Sequence, residues 1–397
     1  MPTLGQGTTA RGIISSQTDT INEKRDISEA IDFLSPFDTP FLDLVGRDSL
    51  KTPCVQITHE WLEDQLEGRS GTLGAAHVAN DGQLTLAGTE YKLLLPGDLV
   101  QVGAVVYRVT GNAPGSNPVL VDVIRSSSGS GGSATDAAAA NAAAWFKIGH
   151  AAPEGGAART DAIKTGLGIP YNYTQILKDW IIVTGTMEAI DRYGYANERA
   201  YQEEKVLRKL AIDLEYQLLY GVRFLEAGPP RISTMGGLQE FVLFPGMLNS
   251  WDTVLNLSGA RLIEDNINTI MQNIWDNGGS VDFIVVNGTN KRIITEWASP
   301  RIRTAQGERT AGSSIAVYES DFGLVDILLN RWLRASDIVF GDRSMIGIGP
   351  LTSRMFTSRL LPHTIDGTWY ELLGEYTMEV HKAQLAWGWI YNTSTAF

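Results

Sequence analysis

One long amphipathic helix stands in a sequence otherwise made of short strand-like runs. Residues Ala196–Tyr220 carry Leu207, Leu210, Ala211, Leu214 and Leu218 at helical spacing. Glu203, Glu204, Lys205, Arg208, Lys209 and Asp213 occupy the other faces, and Gly221 stops the run. At about 1.5 Å per residue this rod is roughly 37 Å long, more than a compact enzyme domain needs and suited to a spine.

The segments before it look unable to fold alone. Residues 1–34 are polar and weakly patterned, with one or two helical turns over Asp26–Phe33, and read as an extended arm docked on something else. Pro36 and Pro40 then bracket a turn, and Phe37, Phe41, Leu42 and Leu44 need burial. Residues 53–66 alternate, with Val55, Ile57, His59 and Trp61 on one side, the pattern of a half-buried strand. A second strand pattern covers Tyr171–Thr184, and the two are expected to pair as arms of one long hairpin. Between them, residues 84–150 hold short apolar runs separated by turn signals such as Pro96-Gly97-Asp98, with Trp145-Phe146-Lys147-Ile148 as a closing strand. That spacing predicts a small β-barrel or sandwich inserted at the hairpin tip.

Beyond the helix, the pattern is α/β. Arg261–Trp275 is amphipathic and stops at Asn277-Gly278-Gly279. Val281–Val286 is a wholly apolar strand, and Asn290–Ala298 a second helix. Ile315–Tyr318, Gly323–Asn330 and Ile338–Phe340 read as further strands, and Thr377–Tyr391 as one long terminal strand.

Composition narrows the function. With 397 residues the chain is expected to form two or three domains. Its 43% apolar content excludes global disorder. A net charge of −13 argues against a broad nucleic-acid-wrapping face. Cys54 is the sole cysteine, so neither an intrachain disulfide nor a Cys-rich zinc site can form. No signal-like apolar region opens the sequence and no apolar run reaches about 18 residues, so neither secretion nor a membrane span is expected. There is no P-loop, G-x-S-x-G or H-E-x-x-H motif. His59-Glu60-x-x-Glu63-Asp64 comes nearest to a metal motif, but on a strand His59 and Glu60 point to opposite faces. The five histidines (59, 77, 150, 363 and 381) are scattered, and Arg301, Arg303 and Arg309 form the only basic cluster. No catalytic, cofactor-binding or metal residue is expected, and no cofactor.

The order of these parts resembles the Hong Kong 97-type major capsid proteins of tailed bacteriophages. The residues are similar to the SU-ten-like branch: Thr39-Pro40-Phe41-Leu42-x-Leu44-Val45-Gly46, His59-Glu60-Trp61 with Asp64 and Leu66, and Pro96-Gly97-Asp98 with Arg108-Val109-Thr110. Gly236-Gly237-Leu238 and Gly374-Glu375-x-Thr377-x-Glu379-Val380 complete the match. The Ser126–Gly132 stretch and Asn141 depart from the branch. The resemblance implies an α+β fold with an N-terminal arm (1–50) and an extended E-loop hairpin (51–83 and 151–186). An all-β insertion (84–150), a P-domain with the spine helix (187–235 and 366–397) and an A-domain (236–365) follow. It further implies a non-enzymatic shell protein, made in the host cytoplasm, that assembles into pentamers and hexamers of an icosahedral head around double-stranded DNA. Its expected partners are further copies of itself, decoration, scaffolding and portal proteins, and weakly held DNA, with no membrane. An encapsulin-type compartment shell is the nearest alternative. An enzyme or surface β-module is a more distant one.

Overall fold

The computed structural model describes residues 38–48, 54–111, 117–126, 129–130, 136–152, 154–155, 166–190, 198–226, 228–249, 252–298, 317–362 and 366–394. The arm 1–34, its Asp26–Phe33 turn and the arginine cluster 301–309 lie outside these residues. The chain divides into two compact units, one of Trp61–Pro170 and one of Met1–Glu60 with Tyr171–Phe397.

The Trp61–Pro170 unit is an antiparallel sheet. Its strands run in the order Ser70–Thr72, Ala144–His150, Asp98–Val102, Val105–Gly111, Val119–Ser126 and Gln83–Leu84. Gly74 N–H donates to Thr85 C=O and Ala87 N–H to Thr72 C=O, around a Leu73–Leu86 bridge. These bonds join the two ends of the order into a closed ring, which leaves no open sheet edge there. Alternate residues point inward, and Leu73, Leu84, Leu86, Leu94, Val100, Val102, Tyr107, Val109, Val119, Val121 and Trp145 form one core. The unit is wider than residues 84–150 because Ser70–Leu73 and Gln83 supply the closing edge.

The second unit holds two principal sheets. In the first, the long strand Thr368–Val380 is paired along one edge by Gln175–Val183 and along the other by Thr357–Leu360 and Ile346–Pro350. The helix Glu198–Tyr220 packs on it through Leu210, which meets Ile181, Val183 and Leu372. The second is a mixed six-stranded sheet in the order Val254–Asn256, Gly388–Tyr391, Ile338–Gly341, Phe283–Val286, Gly323–Leu329 and Val317–Ser320. Helix Glu264–Asp276 buries Ile267, Ile270, Met271 and Ile274 against its core, and helix Gly288–Ala298 adds Ile293 and Ile294. A side chain at Gly341 would collide with the Trp387 ring.

Three expectations are corrected. The long hairpin is short: Thr58–Glu60 pairs with Tyr171–Tyr173, and Gln175–Val183 pairs instead with Thr368–Tyr376. Ile181 and Val183 need the helix-facing core, which only the distant strand shares with them. The terminal strand is two strands. Thr368–Val380 ends at a turn containing Lys382 at φ +48°, and Gly388–Tyr391 then joins the other sheet. Leu207 is 40% exposed and off the buried stripe, which runs through Leu210, Leu214 and Leu218.

Candidate assembly surface

The long strand Thr368–Val380 carries Glu371, Glu375 and Glu379 at every fourth position, so all three project from one face. All are buried, and each is answered by a basic side chain. Arg359 Nε donates to Glu371 at 2.6 Å, and Arg354 pairs with Glu375 at 2.7 Å. Glu379 is held between His59 and His381, the latter at 3.2 Å. Thr174 Oγ1 also donates to Glu375 at 2.6 Å. The stretch 354–359 just before the strand and the distant His59 are thereby fastened to it by charge, and Thr174 by a hydrogen bond.

Hydrogen bonds to Cys54 and then Glu379 push the His59 imidazole up to about 10, and burial opposes them only in part. Burial raises Glu379, yet its bonds to His381 and His59 outweigh this and bring the carboxyl down to about 2. The stabilisation from a raised histidine is complete below its free value of 6.5 and is lost as pH climbs through about 10. That from a depressed carboxyl is complete above 4.5 and is lost as pH falls through about 2. The pair therefore stabilises fully only between those free values. Urea unfolding across pH should show a decline from pH 6.5 toward 10 that flattens in His59→Gln. An unchanged slope in the variant would count against this assignment.

Beside the acidic row, on the same face, Ile176, Trp180 and Ile182 of the flanking strand stand 46%, 48% and 51% exposed. Ile181 and Val183, of the opposite parity, are buried on the other face. Lys178 lies over the Trp180 ring, 5.1 Å from its centroid. An edge strand with a row of exposed large apolar side chains is a ready template for another chain.

A second anchor holds the chain at Pro40–Asp48. This short helix presents its first amides to a carboxylate from the long helix: Phe41 N–H donates to Glu215 Oε1 at 3.0 Å and Leu42 N–H to Oε2 at 2.6 Å. Asn330 Nδ2 donates to the same Oε1 at 2.6 Å. Glu215 is fully buried, and that burial raises its pKa despite the three donors. Phe41 is seated 6.5 Å from Phe283.

The residues considered for chemistry are dispersed into such pairs. Glu63 accepts from Trp61 Nε1, Asp64 accepts from Gln65 N–H, and Glu60 is exposed. His77 is buried against Asp136 at 3.0 Å with Tyr107 donating to the same carboxylate at 2.6 Å, and His150 meets Asp98 at 3.2 Å. His363 lies outside the described residues. Among the described residues no three His, Cys, Asp or Glu side chains are grouped to hold a metal ion, and no helix is long and apolar enough to cross a membrane. The Glu215 anchor leaves one trace in the sequence, an acidic residue on the stripe side of the long helix.

The sequence matches the family model described as SU10 major capsid protein over residues 13–394. The chain belongs to this family. The capsid protein is accordingly a structural component of a phage head shell. A search of curated proteins found no match. Among solved structures it is similar to a chain from Microbacterium phage Oxtober96, with 11% identity, TM-score 0.47, and 94% of this chain and 96% of the other covered. It is also similar to the capsid of a native GTA particle, with 10% identity, TM-score 0.48, and coverage of 96% and 100%. The holo-SrpI encapsulin of Synechococcus elongatus PCC 7942 aligns over 58% of this chain and 78% of its own, with 8% identity and TM-score 0.41.

Proposed function

We propose that the capsid protein self-assembles into the pentamers and hexamers of an icosahedral head enclosing double-stranded DNA, and is a structural shell subunit rather than an enzyme. The family match across nearly the whole chain carries this reading. In the Hong Kong 97 scheme, 1–50 is the arm and 51–83 with 151–186 the E-loop, which carries 84–150 as an inserted β module; Ser70–Leu73 and Gln83 close that module's sheet, and Gln175–Val183 is shared with the sheet of Thr368–Val380. Residues 187–235 and 366–397 form the P-domain, and 236–365 the A-domain. The exposed Ile176, Trp180 and Ile182 face supports assembly, since a neighbouring copy would remove it from water. The acidic chain favours loose contact with the packaged genome. Synthesis in the host cytoplasm and decoration, scaffolding and portal partners complete the proposal.

Electron microscopy and sedimentation of purified subunits at rising concentration test it. Closed shells are expected, and a stable monomer at all concentrations would refute the assembly reading. Shells packed with a cargo protein instead of DNA would favour an encapsulin-type compartment. Trp180→Thr is expected to weaken assembly more than it lowers subunit stability, because the ring is half exposed in the subunit and a β-branched residue suits the strand.

A further inference from the structure

The strand Ala144–His150 breaks the logic of the sheet that contains it. Phe146 and Ile148 point outward and are exposed, whereas Lys147 shares the inward parity of the fully buried Trp145. An ammonium on the inner side of an apolar sheet is a costly placement that needs close partners. The Lys147 side chain is 9% exposed and has three such partners. Its Nζ lies 3.0 Å from Asp98 Oδ2, 2.9 Å from Glu67 Oε1 and 3.3 Å from the Leu93 carbonyl oxygen.

Asp98 opens the adjacent strand and its side chain is 1% exposed. Leu95 N–H donates to Asp98 Oδ2 at 2.8 Å, and His150 Nδ1 lies 3.2 Å from Oδ1. The register shift between Leu99 and Val100 sets Val100 opposite Lys147, which brings the lysine back toward the start of the Asp98 strand.

We propose that Lys147 and Asp98 join spontaneously in an intramolecular isopeptide bond, with Glu67 as the proton acceptor. The arrangement supplies each part that amide formation needs. Glu67 takes a proton from the ammonium, leaving a neutral amine against the Asp98 carboxyl carbon. Attack by Nζ gives a tetrahedral centre whose Oδ2 is held by the Leu95 amide. The attacking nitrogen passes its second proton to Oδ1, a further proton arrives from the His150 side, and Oδ1 departs as water. The sum is ammonium plus carboxylate giving amide plus water: two protons leave Nζ, and two enter the released water. Glu67 and His150 are both partly open to solvent, which returns each to its starting protonation state. No oxidant, cofactor or net proton is required. Holding amine and carboxyl in contact supplies the effective concentration, about 10⁵–10⁸ M for well-oriented intramolecular pairs, that the same reaction lacks in free solution. The product replaces a buried ion pair by a neutral amide and ties two neighbouring strands of the unit covalently.

Intact-mass spectrometry of the purified, denatured full chain tests this without any need for assembly. The expected mass is lower than the sequence mass by one water. Trypsin should then fail to cut after Lys147, and a branched peptide should join residues 93–108 to residues 126–159. Lys147→Met should restore the full sequence mass. Glu67→Gln should also leave the chain unbonded while its circular dichroism stays that of the parent, because Asp98 and Lys147 remain in place. A parent chain at full sequence mass overturns the proposal, as does a water deficit that survives in Lys147→Met. A bonded Glu67→Gln chain overturns the role given to Glu67.

Discussion

Replacing Leu210 with alanine is expected to destabilise the subunit by about 2–5 kcal/mol, the range for a buried leucine whose neighbours cannot close the void. Leu210 is 2% exposed and sits between Ile181, Val183 and Leu372, from two strands that meet only in the tertiary fold. Val206, Leu177, Phe356 and Tyr370 rim the same cluster, so the cavity would be walled by both sheet and helix. Leu214 and Leu218 continue this line and are buried to the same degree. The contrast lies on the opposite face. Glu204 is exposed and pairs with the partly exposed Arg208 one turn away, and exchanging Glu204 or Lys205 should move stability by no more than about 0.5 kcal/mol. Denaturant unfolding of unassembled subunits reads both, with an assembly assay run in parallel. If Leu210→Ala kept parental stability yet abolished assembly, the stripe would be a seam between subunits and its placement in the core would be wrong.

That stripe was legible because helical spacing holds from Leu207 to Leu218, about three turns, and its one misplaced member, Leu207, lies at its edge. Strand identity was legible in the same way, since Gln175–Val183 and Phe283–Val286 announce themselves by apolar content. Strand partnership was not. Ile181 pairs with Tyr370, and no local pattern distinguishes that partner from the equally alternating residues 53–66. The turn at Lys382 was hidden because alternation runs on through it, from one sheet into the other. The helix Leu238–Asn249 was missed for a different reason: Pro245-Gly246 lies within it, and both residues weigh against a helix when read locally. The anchors resisted most. Lys147 sits in a closing strand visible in the sequence, yet with apolar residues on both parities nothing local says which one turns inward. Glu371, Glu375 and Glu379 have a spacing that places them on one face, but their partners lie at Arg359, Arg354 and His59.

Replacing Glu215 is the second change expected to have a large effect, and it acts through groups the substitution does not touch. Its carboxylate takes two backbone amides at the start of Pro40–Asp48 and the Asn330 side-chain amide, in a region closed to water. Glu215→Ala strands all three donors. Each buried unsatisfied polar group costs about 1–3 kcal/mol, partly offset by relief of the burial that raises Glu215 itself, so a net loss of roughly 2–4 kcal/mol is expected. Glu215→Gln keeps the shape but must turn its amide nitrogen toward either Leu42 N–H or the Phe41 and Asn330 donors, so it should recover only part of that loss. The helix macrodipole adds to the penalty, since a negative charge at an N-terminus is removed in both variants. Hydrogen exchange supplies the local readout. The amides of Phe41 and Leu42 should exchange faster in both variants, with those of the Trp61–Pro170 unit unchanged. Parental protection at Phe41 and Leu42 in Glu215→Ala would show that the Phe41 ring against Phe283 and the buried Val45 hold this segment without the carboxylate.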